Sequence, residues 1–303
     1  MSNDIRFDGR VAVITGAAGS LGTTYCVDLA ARGAAVIVND IGAASDGTGS
    51  SSSAAQELAD KINAKGGRAI ANQDDIATRD GAARVIQAAF DNFGSIDILI
   101  NNAGIMRDKV FKKMSLDDFE AVLQLNLLGA TYTCHSAFPH MIKQNYGRIL
   151  MTTSASGLYG VFGAANYAAA KMALLGLTNT LSLEGQRHNI NVNSLAPVAA
   201  SRLLQGFVDN ARMMNKFNPE AVTPMAVYLC SEHCDVSGET LVAGGGYFSR
   251  VVVHEGQGFV VDQNQPLTAE TVAENYHRIA GTSEVNTFPD SLAAVQHIVK
   301  QIS

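Results

Sequence analysis

The sequence predicts an α/β protein, a doubly wound parallel sheet of about seven strands carrying helices on both faces and followed by a C-terminal extension. Three observations predict it. Short β-rich apolar runs alternate with longer helical patterns through residue 246. The first run passes through a glycine-rich turn directly into a helix. Asp40 closes the second run, 24 residues after Gly16 of that turn.

Each element follows in order. RVAVIT (10–15) is the first strand, GAAGSLG the turn and TTYCVDLAARG the helix, with AAVIVND (34–40) the second strand. Strand, glycine-rich turn, helix and strand make the opening of a nucleotide-binding βαβ unit. Small residues let the backbone approach a pyrophosphate, and the helix N-terminus favours its negative charge. A carboxylate at position 40 can bind both hydroxyls of an adenosine ribose and repels a 2′-phosphate, which predicts NAD rather than NADP. IGAASDGTGSSSS (41–53) reads as a flexible loop, because the βα pattern resumes after it. AAQELADKINAKGG is an amphipathic helix and RAIAN a third strand, with Asp74 and Asp75 after it. Asp75, next to Ile76, is the better placed of the two for an adenine, although a solvated turn pair reads the same way.

TRDGAARVIQAAFDNFG is a helix and SIDILINNAG (95–104) a fourth strand, whose polar end Asn101-Asn102-Ala103-Gly104 leaves room for a cofactor. SLDDFEAVLQLNLLGATYTCHSAFPHMIKQNYG reads as one long helix with Asn126 among its apolar residues. A buried amide there is costly unless bonded, so Asn126 either satisfies a helix kink or takes part in a proton relay. GRILMTT is the fifth strand and ends at Ser154. The helix running on from Asn166 follows it, and HNINVNSLAP (188–197) is the sixth strand. Residues 198–218, with Met213, Met214 and Phe217, lack a regular period and suit a substrate lid or a plain connection. NPEAVTPMAVYLC is a helix and ETLVAGGG (239–246) the last strand. Beyond it, LTAETVAENYHRIAG and SLAAVQHIVKQIS are helical. Residues 1–246 thus form the nucleotide-binding domain. Residues 247–303 form an extension, expected to pack on the same domain or at a subunit interface.

Composition narrows the classes. The 303 residues are 47% hydrophobic and 17% charged, with a net charge of −6 and no Lys/Arg run, which argues against nucleic acid as a partner. No apolar stretch is long enough to span a bilayer, MSNDIRFDGR is no signal peptide and KQIS is not a peroxisomal tail, so a cytoplasmic protein without a membrane partner is expected. Cys26, Cys134, Cys230 and Cys234 are widely scattered and read as free thiols. Cys230, His233 and Cys234 have no fourth neighbour for a zinc site, and no metal is expected.

The chemistry centres on SASGLYGVFGAANYAAAK (154–171). Tyr167 and Lys171 are i and i+4 on one helix and share a face. Tyrosine and lysine at that spacing are also common as a packed ring beside a solvated cation. A free phenol has a pKa of about 10 and is a poor base near neutrality, but a nearby ammonium favours the phenolate. Tyr167 could then take a proton from an alcohol or return one to a ketone. Ser154, thirteen positions earlier, could donate a hydrogen bond to the same substrate oxygen.

Thr15-Gly16…Gly22, Asn101-Asn102-Ala103-Gly104, Asn126, Ser154, Tyr167-x-x-x-Lys171 and Pro197, in this order over roughly residues 8–246, resemble the short-chain dehydrogenase/reductase family. Within it, FDGRVAVITGAAGSLG, NNAGIMRDKVF, YGRILMTTSASGLYGVFGAANYAAAKMALLGL and PVAASR are similar to the (3R)-hydroxyacyl-CoA dehydrogenase units of multifunctional β-oxidation enzymes. The resemblance implies Tyr167 as acid/base, Lys171 lowering its pKa and holding the nicotinamide ribose, Ser154 orienting the substrate oxygen and Asn126 completing a water-linked relay. It implies NAD held by Gly16, Ser20, Leu21, Gly22, Asp40, Asp75, Ile76, Asn102, Ala103, Gly104, Tyr167, Lys171 and Pro197. It also implies a homodimer or homotetramer paired through the Asn126 and Tyr167 helices. Two positions depart from the family: Ser20 replaces a glycine of the turn, with Gly19 one place earlier, and Val198 follows Pro197 where glycine is frequent. Three functions fit: NAD-dependent oxidation of a 3-hydroxyacyl-CoA, of 3R configuration and including a steroid side-chain thioester, to the 3-oxoacyl-CoA in β-oxidation; a dehydrogenase of free 17β-hydroxysteroids; or a non-catalytic NAD-binding partner subunit. Arg202, Arg212 and Lys216 are candidate cations for coenzyme A, or solvated surface.

Overall fold

A computed structural model describes residues 4–51, 53–199, 214–262 and 264–302. The chain forms two compact units, Met1–Arg250 and Val251–Ser303. The first contains an eight-stranded sheet, counted among the described residues, in the order β3-β2-β1-β4-β5-β6-β7-β8. The strands are β1 Val11–Thr15, β2 Ala35–Asn39, β3 Arg68–Asn72, β4 Ile98–Asn101, β5 Gly147–Thr152, β6 Ile190–Pro197, β7 Thr240–Gly244 and β8 Tyr247–Val251. All neighbours from β3 through β7 pair in parallel. The order reverses between β1 and β4, and there the carboxyl ends open a crevice for a ligand. The eighth strand exceeds the seven expected. Gly245 and Gly246, both at positive φ, turn the chain straight from β7 into it.

Side-chain alternation explains the two layers. Ala12, Ile14, Val36 and Val38 face one side with Tyr25, Cys26 and Leu29 of α1 (Ser20–Ala31) and Leu58 and Ile62 of α2 (Ser53–Asn63). Val11, Val13, Ala35 and Ile37 face the other, with Val85 and Ile86 of α3 (Arg79–Phe93) and Met141 of the Asn126 helical region. Strands buried on both faces read as continuous apolar runs, which is why β1 and β2 were visible in the sequence. Thr78 caps α3 by accepting from Gly81 N–H, and Gly94 ends it in the left-handed conformation.

The long helix expected around Asn126 is interrupted. It comprises α4 (Leu116–Leu123), a π-helical turn (Gln124–Gly129) and α5 (Ala130–Gln144). A short helix not foreseen in the sequence, α6 (Ala155–Tyr159), precedes α7 (Ala165–Gly185). The expected helix 218–230 is a 3₁₀ turn, Pro219–Ala221, followed by α8 (Thr223–Leu229). Within the second unit, β9 (Glu255–Gly256) pairs antiparallel with β10 (Val285–Asn286), and α9 (Ala269–Glu274), α10 (Tyr276–Ile279) and α11 (Ser291–Ile302) are helical. No helix among the described residues is long and apolar enough to cross a membrane. The four cysteines are buried free thiols, and the described residues hold no cluster able to ligate a metal.

Candidate active site

A cleft of about 730 Å³ lies at the carboxyl ends of β1 to β4. Its floor is the glycine-rich turn. Gly16 has φ +60, and a Cβ there would sit 2.7 Å from Ala103 Cα, so only glycine lets β1 and β4 approach this closely. Gly19 is the N-cap of α1 and offers no capping side chain, leaving the first-turn N–H groups to the cleft. Ser20 is the first residue of that helix, exposed and lining the cleft beside Leu21. Gly22 lies deeper. It is buried outside the lining, and a Cβ on it would meet Gly16 O at 2.3 Å, so its role is to seat α1 against the turn.

Asp40 is fixed by both carboxylate oxygens. Oδ2 accepts from Ala18 N–H at 2.9 Å and Oδ1 from Gly42 N–H at 2.7 Å. The group therefore links the turn to the following loop while still lining the cleft. Asn102 Nδ2 donates to Gly16 O at 2.9 Å and Thr15 O at 3.2 Å, and Thr15 Oγ1 accepts from the N–H groups of Asn102 and Ala103. These bonds lock the ends of β1 and β4 together. Asp75 is exposed in the lining and accepts from Ala77 N–H, whereas Ile76 is buried against Gly129.

The catalytic candidates meet beyond Gly104. Ser154 is the N-cap of α6 and accepts from Ser156 N–H at 3.1 Å. Its hydroxyl also acts on the Tyr167 phenol, where it favours the phenolate. Lys171 Nζ lies 5.7 Å from the Tyr167 ring centroid and donates to Thr152 O at 2.8 Å. Thr153 Oγ1 donates to Lys171 O at 2.7 Å and fastens α7 to the end of β5. A Cβ on Gly104 would stand 3.3 Å from Asn126 Oδ1 and 3.4 Å from Lys171 Nζ, so these two side chains converge on one small residue. Asn126, 1% exposed, brackets the Ile105 peptide: Oδ1 accepts from its N–H at 2.8 Å and Nδ2 donates to its C=O at 3.0 Å. Both of its amide groups are thus satisfied by backbone, next to the lysine.

The electrostatics differ from the simple picture of a lysine acidifying a phenol. Burial pushes the Tyr167 phenol up, the Ser154 hydrogen bond opposes this and the Asp108 carboxylate adds to it. Burial alone pulls the Lys171 ammonium down to about 8. Desolvation disfavours the charged form of both groups, and within the protein the lowering influence on Tyr167 comes from Ser154.

Of the predicted cofactor residues, Gly16, Ser20, Leu21, Asp40, Asp75, Ile76, Asn102, Ala103 and Gly104 line the cleft. Tyr167, Lys171 and Pro197 stand outside that lining, with Pro197 half-buried at the end of β6. Val198 is held by its N–H to Ala243 O at 2.8 Å and lies against Gly244. Sequence reasoning missed Ala18, Gly19, Gly47 and Gln124, all in the lining. The dipeptide Gly19-Ser20 was the available signal for the first two. Gln124 is brought in by the π-helical turn, which no side-chain pattern announced. Arg202, Arg212 and Met213 lie outside the described residues. Lys216 belongs to a 3₁₀ turn, Asn215–Phe217, and Phe217 packs against Gly245. A crowded glycine floor, uncapped helix N–H groups and a carboxylate at the end of β2 fit a dinucleotide.

Residues 10–209 match the family described as short chain dehydrogenase. A short-chain type dehydrogenase/reductase of Mycobacterium tuberculosis is 45% identical over 90% of this chain and 95% of its own. Mouse peroxisomal multifunctional enzyme type 2 is 40% identical over the whole of this chain, which spans 41% of that enzyme's length. Among solved structures, full-length peroxisomal multifunctional enzyme type 2 from Drosophila melanogaster superposes with a TM-score of 0.83 at 33% identity, covering 98% of this chain and 50% of that one.

Proposed function

The chain belongs to the short-chain dehydrogenase family, and on that footing we propose that it is an NAD-dependent dehydrogenase that oxidises the hydroxyl of a 3-hydroxyacyl-CoA, of 3R configuration, to the 3-oxoacyl-CoA. Enzymes of this family act on CH–OH groups with a nicotinamide cofactor. The observation that carries the finer reading is the grouping of Tyr167 with Lys171 and Ser154, together with the convergence of Lys171 and Asn126 on Gly104, which lines the same cleft as Asp40. The likeness to multifunctional enzyme type 2, over the whole of this chain and 41% of that enzyme, supports a 3-hydroxyacyl-CoA substrate.

A nicotinamide held in this cleft would supply the hydride acceptor and, in its oxidised form, a positive charge. Tyr167 Oη takes the alcohol proton, and Ser154 Oγ donates to the oxygen as negative charge develops on it. Lys171 Nζ, anchored to Thr152 O, holds a donor beside Tyr167 and can pass the proton onward past Asn126. Asp40 receives ribose hydroxyls and repels a 2′-phosphate.

NADH formation by the purified protein, measured with NAD or NADP and with each enantiomer of a 3-hydroxyacyl-CoA, tests this reading. The expected order is NAD over NADP, 3R over 3S, and the thioester over a free 17β-hydroxysteroid in kcat/KM. A higher kcat/KM for the free steroid overturns the substrate assignment, and a higher one with NADP overturns the role given to Asp40. Tyr167→Phe is expected to lower kcat by about 10²–10⁴-fold, the usual yield of positioned acid–base catalysis.

A further inference from the structure

Residues 42–51, within the stretch 41–53 read from sequence as a flexible loop, are fastened beside the cleft. Within the loop, Ala44 N–H donates to Thr48 O at 2.9 Å, Gly47 N–H to Ala44 O at 2.9 Å and Ser51 N–H to Ile41 O at 3.0 Å. Ala44, Ser45 and Gly47 line the cleft, as do Ile105 and Leu125. Two bonds join the loop to the segment after β4: Met106 N–H to Ser45 O at 3.0 Å and Arg107 Nε to Asp46 O at 2.9 Å. Gly47, at φ +85, lets the loop approach; a Cβ there would come within 3.1 Å of Ile105 Cδ1.

Arg107 also reaches the other way. Its Nη1 pairs with Asp118 Oδ1 at 3.3 Å in the first turn of α4. Asn166, fully buried, donates from Nδ2 to Arg107 O at 3.1 Å and Asp118 O at 3.3 Å, and its Oδ1 accepts from Tyr167 N–H at 2.8 Å. The Arg107 guanidinium therefore joins the strap to Asp118, while the backbone carbonyls of Arg107 and Asp118 are held by the asparagine that accepts from Tyr167 N–H. As a half-exposed ion pair it would contribute little stability. Its value is geometric, because a rigid planar fork fixes the directions of its donors, whereas an ammonium's three donors rotate at the end of a flexible stem.

We propose that Arg107 is a positioning residue: it latches the 42–51 strap as a wall of the dinucleotide cleft and couples the strap to the placement of Tyr167. The proposal rests on the dinucleotide reading given above. It predicts slower cofactor release than an unlatched loop would allow, and a KM for NAD that depends on a side chain remote from the hydride acceptor.

The test compares the full-length wild type with Arg107→Ala and with the milder Arg107→Lys. Two readouts are used: hydrogen–deuterium exchange of residues 42–51 without nucleotide, and the NADH dissociation rate by stopped-flow fluorescence. In Arg107→Ala, exchange across 42–51 and NADH dissociation are each expected to rise by about tenfold, since interface losses fall mainly on dissociation. KM for NAD is expected to rise more than kcat falls, with Arg107→Lys close to Arg107→Ala. Wild-type exchange in 42–51 together with NADH dissociation within twofold of wild type in both variants overturns the latch. If wild-type protein binds no NADH, the dinucleotide reading fails, and the exchange arm by itself then upholds or overturns the fastening.

Discussion

Lys171 is the residue at which cost and use are most closely joined. It is 3% exposed and its pKa is drawn down to about 8 by burial. A folded-state value below the unfolded one means that the unfolded chain binds more protons between about pH 8 and 10.4, so stability rises with pH across that window. Below it the fold carries the full penalty of a buried ammonium, on the order of 3 kcal/mol for a depression of this size. Lys171→Met is therefore expected to gain stability relative to wild type at pH 7 and to lose that advantage by pH 10, measured by urea unfolding at both values. A constant difference between the two proteins would show that the ammonium is not desolvated. The same desolvation raises Tyr167. Alcohol oxidation is accordingly expected to speed up, and ketone reduction to slow down, as pH rises.

At the scale of elements, the π-helical turn Gln124–Gly129 has a specific cause. Asn126 spends both of its amide groups on the Ile105 peptide, and the helix widens by a residue there. The same turn carries Gln124 to the cleft, where its Nε2 donates to Ala77 O at 2.5 Å. Asn126→Ala leaves a buried N–H and a buried C=O unpaired, at about 1–3 kcal/mol for each group. We expect a loss of at least about 2 kcal/mol in denaturant unfolding, with Asn126→Asp intermediate because it keeps the acceptor. A loss below half that size would indicate that α4 and α5 hold the turn without the amide. Strands and helices with strong periods were legible in the sequence to within a few residues. The breaks were less so: a kink at Asn126 was one of two readings and its π-helical turn rests on the remote Ile105 backbone, whereas α6 and the 3₁₀ turn at Pro219–Ala221 are capped locally by Ser154 and Asn218 and were not foreseen.

On the scale of the whole molecule, the sheet order brings together residues separated by more than a hundred positions. Gly16, Asp40, Gly104, Asn126 and Lys171 come from five different segments, and reversal of the strand order between β1 and β4 opens the crevice among them. α7 leaves Met172 and Leu183 exposed at 44% and 49%. That face, with the α4–α5 region, is the expected site of pairing between copies. Sedimentation at micromolar concentration is expected to give a dimer or tetramer, and a monomer alone would contradict it.

Local chemistry by itself determined the order of elements, the glycine-rich turn, the carboxylate at position 40 and the Tyr167–Lys171 pair, because period, turn composition and i to i+4 spacing act over a few residues. Tertiary structure decided the rest. It turned Gly22 into a packing residue, bonded Asn126 to Ile105 and fastened the 42–51 loop through Arg107. It also set the protonation balance at the site, since desolvation depends on what packs around a group and cannot be read from its neighbours in sequence.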